Sequence, residues 1–279
     1  MAKSRKATNG ETDSLTTVEK ALEVLDLVSE QGRPMRFTEL QAKSDLPKGT
    51  LYRFIQTLTK QGMLTYDPDR KVYFLGMRLV RLAHAAWKQS SLAPVAHPHL
   101  NALAGLIRET IHLAQLDGGH VLYVDKLYPS RPVEMFSSAG KVGPAYCTGV
   151  GKAMLAHLSK EQLGRALAQQ SFYRFTERTI TTKTALLEEL AVIRKRGYAF
   201  DDEEHERGII CVSVPIVSEF GHLLGGLSVT ALRVQIDFDE LEKLVPNLQA
   251  TAARIAADTE NWRFPEIDRP IQPMGAYQP

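Results

Sequence analysis

Helix-breaking residues divide the first part of the chain into short segments, and this spacing strongly limits the fold. Thr16 and Glu19 have the spacing of a capping box, and apolar residues follow at helical intervals. The pattern predicts a helix from about Thr17 to Glu30. Gly32 and Pro34 then end it, because glycine loosens a helical backbone and proline interrupts it.

Two more short helices are predicted before residue 63. Thr38 and Gln41 form a second capping-box pattern, which predicts a helix that ends near Ser44. Pro47 is favoured in the first turn of a helix, so a third helix should begin there and end at Gly62. The apolar positions of the third helix are Leu51, Phe54, Ile55 and Leu58.

A β-hairpin is predicted directly after the third helix. Apolar and polar residues alternate from Met63 to Leu75, and residues 67–70 in the middle have the turn sequence Asp-Pro-Asp-Arg. Three short helices followed by a hairpin make a winged helix-turn-helix, all-α with a β-wing. We predict this domain for residues 15–76.

The polar side of the third helix has the geometry of a DNA-reading surface. Thr50, Arg53, Thr57 and Lys60 recur at intervals that place them on one stripe. The major groove of B-DNA admits one α-helix, whose outward side chains meet base edges and phosphates. The alternative is an ordinary solvated helix face, which the winged-helix context disfavours. The predicted DNA contacts are Lys48, Thr50, Leu51, Arg53, Thr57, Lys60 and Arg70.

The rest of the chain mixes helix and strand patterns, which predicts an α+β domain on an antiparallel sheet. A linker helix is expected over 77–91 and a sensory domain over 92–263. Residues 1–14 and 264–279 are expected to be a disordered arm and tail. The predicted elements of the sensory domain are helices at 100–108, 151–157, 185–195 and 238–262, strands at 111–116, 121–127, 209–217 and 223–232, and a hairpin-like segment at 133–136.

Charge and composition fit a nucleic-acid module joined to a second domain. The first 90 residues contain 15 Lys and Arg against 10 Asp and Glu, whereas the remainder contains 19 against 22. No stretch is long and apolar enough for a membrane span, and the first residues lack a signal-peptide core, so we expect a cytoplasmic protein. Cys147 and Cys211 are expected to be reduced thiols, and no metal or cofactor is expected.

Residues 146–153 place small side chains just before a predicted helix. Free backbone amides there could hold a carboxylate or phosphate, although the segment lacks the spacing of a P-loop. A turn that packs the helix closely against a strand is an equally good interpretation.

Two further segments of the second domain invite a chemical interpretation. The acidic run 201–206 superficially suggests metal ligation or acid-base chemistry, but a solvated loop is the commoner explanation. Cys211 lies in an apolar strand, where a thiol usually acts as a small hydrophobic residue. A catalytic cysteine would also need a positioned base, and the scattered histidines form no recognisable dyad.

From about Thr16 to Trp262 the chain resembles the IclR family of bacterial transcription regulators. In the first domain the resemblance rests on TVEKALEVLDLV, LPKGTLYRFIQTLTKQGML and YFLGMRLVRLA, and in the second on TGVGKAMLA and RGYAFDDEEHERGIICVSVPIV. It implies a winged helix-turn-helix, a linker helix used in dimerisation and a GAF-like α/β effector-binding domain. It also implies dimers or tetramers that bind palindromic double-stranded DNA operators.

The same resemblance implies the effector contacts. The matching positions are Met135, Gly149, Val150, Asp201, Cys211, Ser228 and Thr230. The chain departs from the family at Gly49, where a serine is usual. The segments ETIHLAQLDGGHVLYVDKL and ERTITTKTALLEEL are similar to the ketodeoxygluconate-responsive regulators, which suggests a 2-keto-3-deoxy sugar acid as effector. A short keto acid or an aromatic acid is the alternative.

The sequence therefore predicts a regulator of a carbon-catabolism operon whose operator affinity is modulated by a small carboxylate. The rival is an enzyme that acts on a small acid through Cys211 or Cys147. A third alternative is a ligand-sensing module whose basic N-terminal domain binds protein.

Overall fold

The computed structural model describes residues 16–90, 92–128 and 135–259. The predicted disordered arm and tail lie outside the described residues. The chain forms two compact units that divide between Ala86 and Trp87, within the predicted linker helix.

The first unit contains three helices and a hairpin, as predicted. They are α1 (Thr17–Glu30), α2 (Phe37–Lys43), α3 (Lys48–Lys60), β1 (Leu64–Asp67) and β2 (Val72–Leu75), followed by α4 (Met77–Ser90). The hairpin is antiparallel, with Leu64 opposite Leu75. Its core consists of side chains from all three helices and the wing, among them Val24, Leu40, Ile55 and Leu64.

Capping residues set the starts of these helices, with one correction. The Thr16 and Glu19 box is present at α1. The predicted box of Thr38 and Gln41 is wrong: α2 begins one residue before Thr38, and Glu39 instead accepts a hydrogen bond from the Arg36 amide at 2.7 Å. Arg36 and Glu39 have the same i, i+3 spacing, so one of the two hydrogen bonds of a capping box forms two residues earlier; the arginine side chain cannot accept the other.

The second unit is built on a six-stranded antiparallel sheet with helices on both faces. Its strands are β3 (Thr110–Asp117), β4 (His120–Leu127), β5 (Val142–Gly143), β6 (Ala199–Asp202), β7 (Ile209–Val217) and β8 (Leu223–Leu232), in the spatial order β5-β4-β3-β8-β7-β6. Its helices are α5 (Ala93–Ala104), α6 (Gly149–Leu155), α7 (Lys160–Ala168), α8 (Lys183–Arg196), α9 (Phe238–Glu242) and α10 (Val245–Thr259).

Two apolar clusters cover the two faces of this sheet. One joins α5 and α10 to side chains such as Val212 and Val229, and the other joins α6 and α8 to Ala114 and Tyr123. Residues that alternate along a strand point to opposite faces. Cys211 and Ser213 therefore face α6, on the side opposite Val212.

Several boundaries in the second unit differ from the prediction. The helix predicted from Leu100 begins at Ala93, because Pro94 lies in its first turn rather than in a loop. The long helix predicted from Phe238 to Trp262 is two helices, and its end from residue 260 lies outside the described residues. The break falls before Pro246, which α10 accommodates in its first turn.

Three short elements were not predicted, and one prediction was wrong in part. Strands β5 and β6 and helix α7 are too short or too polar to give a clear period. The hairpin-like segment predicted at 133–136 begins outside the described residues, and the described residues 135–136 are not in a strand. In the part of the chain that the structure describes, no helix is long and apolar enough to cross a membrane.

Candidate functional site

The exposed side of α3 carries most of the predicted DNA contacts. Lys48, Arg53, Thr57 and Lys60 are exposed, and Thr50 is half-buried. The opposite side of the helix packs into the core, so the polar stripe is held outward by the burial of its apolar neighbours. The Thr57 hydroxyl donates to the Arg53 carbonyl at 2.8 Å and keeps its lone pairs as acceptors.

Leu51 is a correction to the predicted contacts. Its side chain has 0% exposure and belongs to the core of the first unit. A side chain buried there cannot reach a groove. Leu51 lies on the apolar side of α3, so its prediction as a DNA contact was wrong.

Two exposed residues of α3 were missed by the sequence analysis. Tyr52 is 52% exposed and meets the Phe37 ring edge-on, and Gln56 lies one turn further along. Their i, i+4 spacing continues to Lys60, which is the signal that could have found them. A tyrosine hydroxyl can bond a phosphate, and a glutamine amide can pair with adenine.

The wing presents its basic residues on a tight turn. Asp67 Oδ1 accepts hydrogen bonds from the backbone amides of Asp69 and Arg70, each at 3.0 Å. Lys71 follows with a positive φ of 56°. The side chain of Arg70 is exposed at this tip. The turn therefore holds two cations outward from the hairpin.

A second polar site lies inside the other unit, where one cavity of about 30 Å³ collects residues from six separate segments. All seven predicted effector contacts line it. Seven residues outside the predicted effector contacts also line it: His112, Tyr123, Ser137, Thr148, His205, Glu206 and Ile209.

Strand register explains why distant residues meet at the cavity. Asp201 on β6 is opposite Cys211 on β7, and Cys211 is opposite Thr230 on β8. Ser228, two residues before Thr230, is opposite His112 on β3. These residues form neighbouring rows on one face of the sheet, although they are far apart in sequence.

Gly149 lets α6 approach this face closely, and Gly151 lets the helix pack against the segment that precedes it. A Cβ atom on Gly149 would lie 2.5 Å from Cys211 Sγ, and one on Gly151 would lie 2.4 Å from the Ala145 carbonyl oxygen. Both contacts are shorter than side chains tolerate. The close-packing interpretation of residues 146–153 is therefore confirmed, and the same packing brings Gly149 and Val150 to the cavity.

The acidic run behind the cavity is partly buried, so its interpretation as a solvated loop was wrong. Lys152 of α6 has a side chain only 2% exposed and forms an ion pair with Glu204. The Glu204 amide donates to Asp201 Oδ1 at 2.8 Å. Burial opposes the Lys152 charge, but Glu204 and Asp201 hold the pKa of this lysine above its ordinary value.

Asp201 is the carboxyl of this run that reaches the cavity. Burial, reinforced by the charge of Glu204, raises the pKa of Asp201 to about 8. At neutral pH the carboxyl is then mostly protonated, so it can donate a hydrogen bond as well as accept one.

His112 anchors a buried hydrogen-bond network across the cavity. Its Nε2 is 2.7 Å from Ser137 Oγ, and its Nδ1 is 3.2 Å from Thr230 Oγ1. Burial, assisted by the charge of Lys126, lowers the pKa of His112 to about 3. The imidazole is therefore neutral and positions two hydroxyl groups.

The two cysteines are poorly suited to nucleophilic chemistry. Burial raises the pKa of Cys211 to about 12 and also raises the pKa of Cys147. A thiolate is the reactive form of cysteine, so both side chains are unreactive near neutral pH. Cys211 Sγ contacts Ser213 Oγ at 3.7 Å.

Two family models together match most of the chain. The model of the IclR helix-turn-helix domain matches residues 17–68, and that of the bacterial transcriptional regulator IclR C-terminal domain matches residues 84–257. The chain belongs to the IclR family. It is a DNA-binding transcription regulator, and the fold class predicted from the sequence is confirmed.

Known IclR-family proteins are similar over nearly the whole length. The HTH-type transcriptional regulator KdgR of Escherichia coli (strain K12) is 32% identical over 91% of this chain and 96% of its own. The crystal structure of IclR from Thermotoga maritima is 30% identical, with a TM-score of 0.71 over 86% of this chain and 97% of that one. The relatives found are named as regulators or repressors, which gives the enzyme alternative no support.

One IclR-family structure holds a small acid. An IclR homolog from Microbacterium hydrocarbonoxydans, complexed with 4-hydroxybenzoate, is 25% identical, with a TM-score of 0.75 over 88% of this chain and 99% of that one.

Proposed function

We propose that the protein is an effector-controlled regulator of a carbon-catabolism operon, and that a hydroxylated carboxylic acid bound in the cavity changes its operator affinity. The single observation that carries the proposal is the convergence of all seven predicted effector positions on one buried cavity. The 4-hydroxybenzoate complex of the Microbacterium homolog supports an acid as the ligand class.

The chemistry of the lining favours a sugar acid over an aromatic acid. Hydroxyl groups of Ser137, Thr148, Ser228 and Thr230 and the carboxyl of Asp201 surround the cavity. Ser137 and Thr230 bond His112, and Thr148 bonds the Pro144 carbonyl, but each hydroxyl keeps capacity for a further hydrogen bond to a ligand. A 2-keto-3-deoxy sugar acid offers them hydroxyl and keto oxygens, in keeping with the similarity to KdgR.

The raised pKa of Asp201 makes the cavity compatible with an acid. A protonated Asp201 donates to a keto or hydroxyl oxygen without adding a charge that repels the ligand. A cavity of about 30 Å³ holds water-sized molecules rather than a six-carbon acid. Binding therefore requires its walls to separate, and this movement is the conformational change that the operator-binding domain would sense.

On the DNA side, the proposed contacts are the exposed side chains of α3 and the wing, without Leu51. Arg53 is the proposed base reader, and Lys48, Lys60 and Arg70 are proposed phosphate contacts. Helix α4 exposes apolar side chains at Met77, Val80 and Leu82. These residues suit pairing with a second copy of the chain, which would match a palindromic operator.

The test is a thermal-shift screen of the purified full-length protein, followed by operator binding with and without the active acid. A ligand that binds only the native state raises the melting temperature as its concentration increases. We expect stabilisation by 2-keto-3-deoxygluconate that is lost in Asp201→Ala and kept in Asp239→Ala, an exposed control. Asp201→Ala should leave operator affinity without ligand nearly unchanged. No shift with keto, sugar or aromatic acids would refute the proposed effector class.

A further inference from the structure

His205 lies in the wall of the cavity in an unusual state. Its side chain is 9% exposed, and its Nε2 atom is buried without a hydrogen-bond partner among the described residues. A buried polar atom without a partner costs free energy, so such atoms are rare unless a ligand or another group completes them. No prediction from the sequence assigned a role to this residue.

The surroundings of His205 fix its ring. The Phe136 ring lies 4.9 Å from it and the Phe175 ring 4.6 Å, measured between centroids. Its Nδ1 is 3.8 Å from Glu206 Oε1, which also accepts a hydrogen bond from the Phe136 amide at 2.9 Å. Burial opposes the charge of Glu206, but His205 and the Phe136 amide together hold the pKa of this carboxyl below its usual value.

This arrangement determines which ring atom is available to a ligand. The Glu206 carboxylate faces Nδ1 at an ion-pair distance of 3.8 Å, and because a carboxylate only accepts, it favours a proton on that nitrogen. The Nε2 atom is then the free polar position of His205. With a proton on Nε2, the ring donates a hydrogen bond to an anion.

The other basic side chains near the cavity already have partners. Both nitrogens of His112 are hydrogen bonded. Lys126 Nζ donates to the Ser137 carbonyl oxygen at 2.5 Å, and Lys152 is paired with Glu204. Within residues 16–90, 92–128 and 135–259, His205 is thus the basic residue of the cavity wall with a free nitrogen.

We infer that His205 binds the carboxylate of the effector through Nε2, so that the acid group lies beside the Phe136 and Phe175 rings and the hydroxylated end faces Asp201 and Thr230. The inference rests on the proposed function, since it assigns an orientation to the same ligand. It makes His205 the residue that selects acids over neutral sugars.

The experiment compares an acid with its neutral ester on the full-length protein. Calorimetric titration would use 2-keto-3-deoxygluconate and its methyl ester, with wild type, His205→Phe and His205→Gln. Phenylalanine keeps a ring in the wall, and glutamine keeps a neutral donor. His222→Gln, in an exposed turn, is the matched control.

We expect wild type to bind the acid roughly 10- to 100-fold more tightly than the ester, the usual range for a hydrogen bond to a charged group. His205→Phe should lose most of that preference while its ester affinity stays within about twofold of wild type. His205→Gln should be intermediate, and the control should match wild type.

Two results would refute the assignment of His205 while leaving the proposed effector class intact. One is unchanged acid affinity in both His205 variants, and the other is an equal loss for acid and ester, which would make His205 only a wall of the cavity. If wild type binds neither compound while both His205 variants fold, the proposed effector class fails, and the assignment of His205 fails with it.

Discussion

The DNA-binding surface and the cavity place their polar residues in opposite ways. On α3 the functional side chains belong to one helix and are exposed, whereas the cavity gathers buried groups from strands, a helix and connecting segments. A helix surface requires only the right period along the chain. A buried site requires that every polar group also finds a partner in the fold.

Because of this difference, residues that bind DNA in the first unit contribute little to stability, whereas residues at the cavity of the second unit contribute to both binding and stability. Exposed residues such as Arg53 and Lys60 can change with little effect on folding. Lys152, Glu204 and Asp201 are buried and depend on each other, so changing one of them alters the free energy of unfolding.

The largest effect is expected for Lys152→Met. Removing the ammonium leaves the buried Glu204 carboxylate unpaired, which should lower the free energy of unfolding by about 3–5 kcal/mol. Urea denaturation measures it, with the exposed Lys160→Met as the matched control. Adding Glu204→Leu to Lys152→Met should recover most of the loss. If the Lys152→Met and Lys160→Met variants are equally stable, the buried ion pair does not stabilise the folded protein.

A pH-dependent effect is expected for Asp201→Asn. The folded-state pKa of about 8 is raised above the unfolded value, so the protonated carboxyl contributes its full stability below about pH 4, and this contribution is lost as pH rises through 8. Asparagine cannot ionise, so the variant should gain on the order of 2–4 kcal/mol relative to wild type between pH 4 and pH 9.

Urea unfolding at several pH values measures this gain. The exposed control Asp239→Asn should follow the wild-type pH dependence. A constant difference between Asp201→Asn and wild type across the range would show that Asp201 is ionised throughout.

A smaller effect, confined to DNA binding, is expected for Arg53→Ala. Losing a base contact should weaken binding to an operator selected from random-sequence DNA by about 1–3 kcal/mol, and Lys60→Ala should reduce the salt slope by about 1. Fluorescence anisotropy at several salt concentrations measures both. Arg254→Ala, exposed on α10, is the control. Unchanged affinity with Arg53→Ala would mean that α3 presents an ordinary solvated face.

The smallest effect is expected at Gly49, where a Cβ atom would have no neighbour within 4 Å. Gly49→Ala should raise the free energy of unfolding by about 0.5–1 kcal/mol, since alanine is the better helix residue. Gly151→Ala is its counterpart beside the cavity and should lower stability by about 1–3 kcal/mol through overpacking. Thermal unfolding measures the stability of both variants. A loss of stability in Gly49→Ala as well as in Gly151→Ala would contradict the expectation that a Cβ atom fits at position 49.

The first unit was more predictable than the second because its signals are local. The period of α1 and the alternation of the wing gave their boundaries correctly. Where the sequence pattern misled, a neighbouring residue performed the same task, as Arg36 and Glu39 do at α2. Leu51 was predicted as a DNA contact although it lies on the apolar side of α3, which packs into the core.

In the second unit, the resemblance to the IclR family supplied the predicted positions that line the cavity; a local pattern had indicated only Gly149 and Val150, within residues 146–153. It did not find His205, whose importance depends on an unpaired nitrogen and on two aromatic neighbours from other segments. Nor did the acidic run show from its composition that Asp201 and Glu204 would be buried. Burial depends on what packs above a residue, and here that is α6, which Gly149 allows to lie close to the sheet.

The amino-acid sequence by itself determined the winged helix, the exposed stripe of α3 and the main strands, because each follows from periodicity and capping within a few residues. Only the tertiary structure decided the cavity. Strand pairing placed Asp201, Cys211 and Thr230 in one row. The close approach of α6 then buried this row away from water. The resulting pKa values and the free nitrogen of His205 arise from desolvation and from contacts between distant segments, which no local pattern contains.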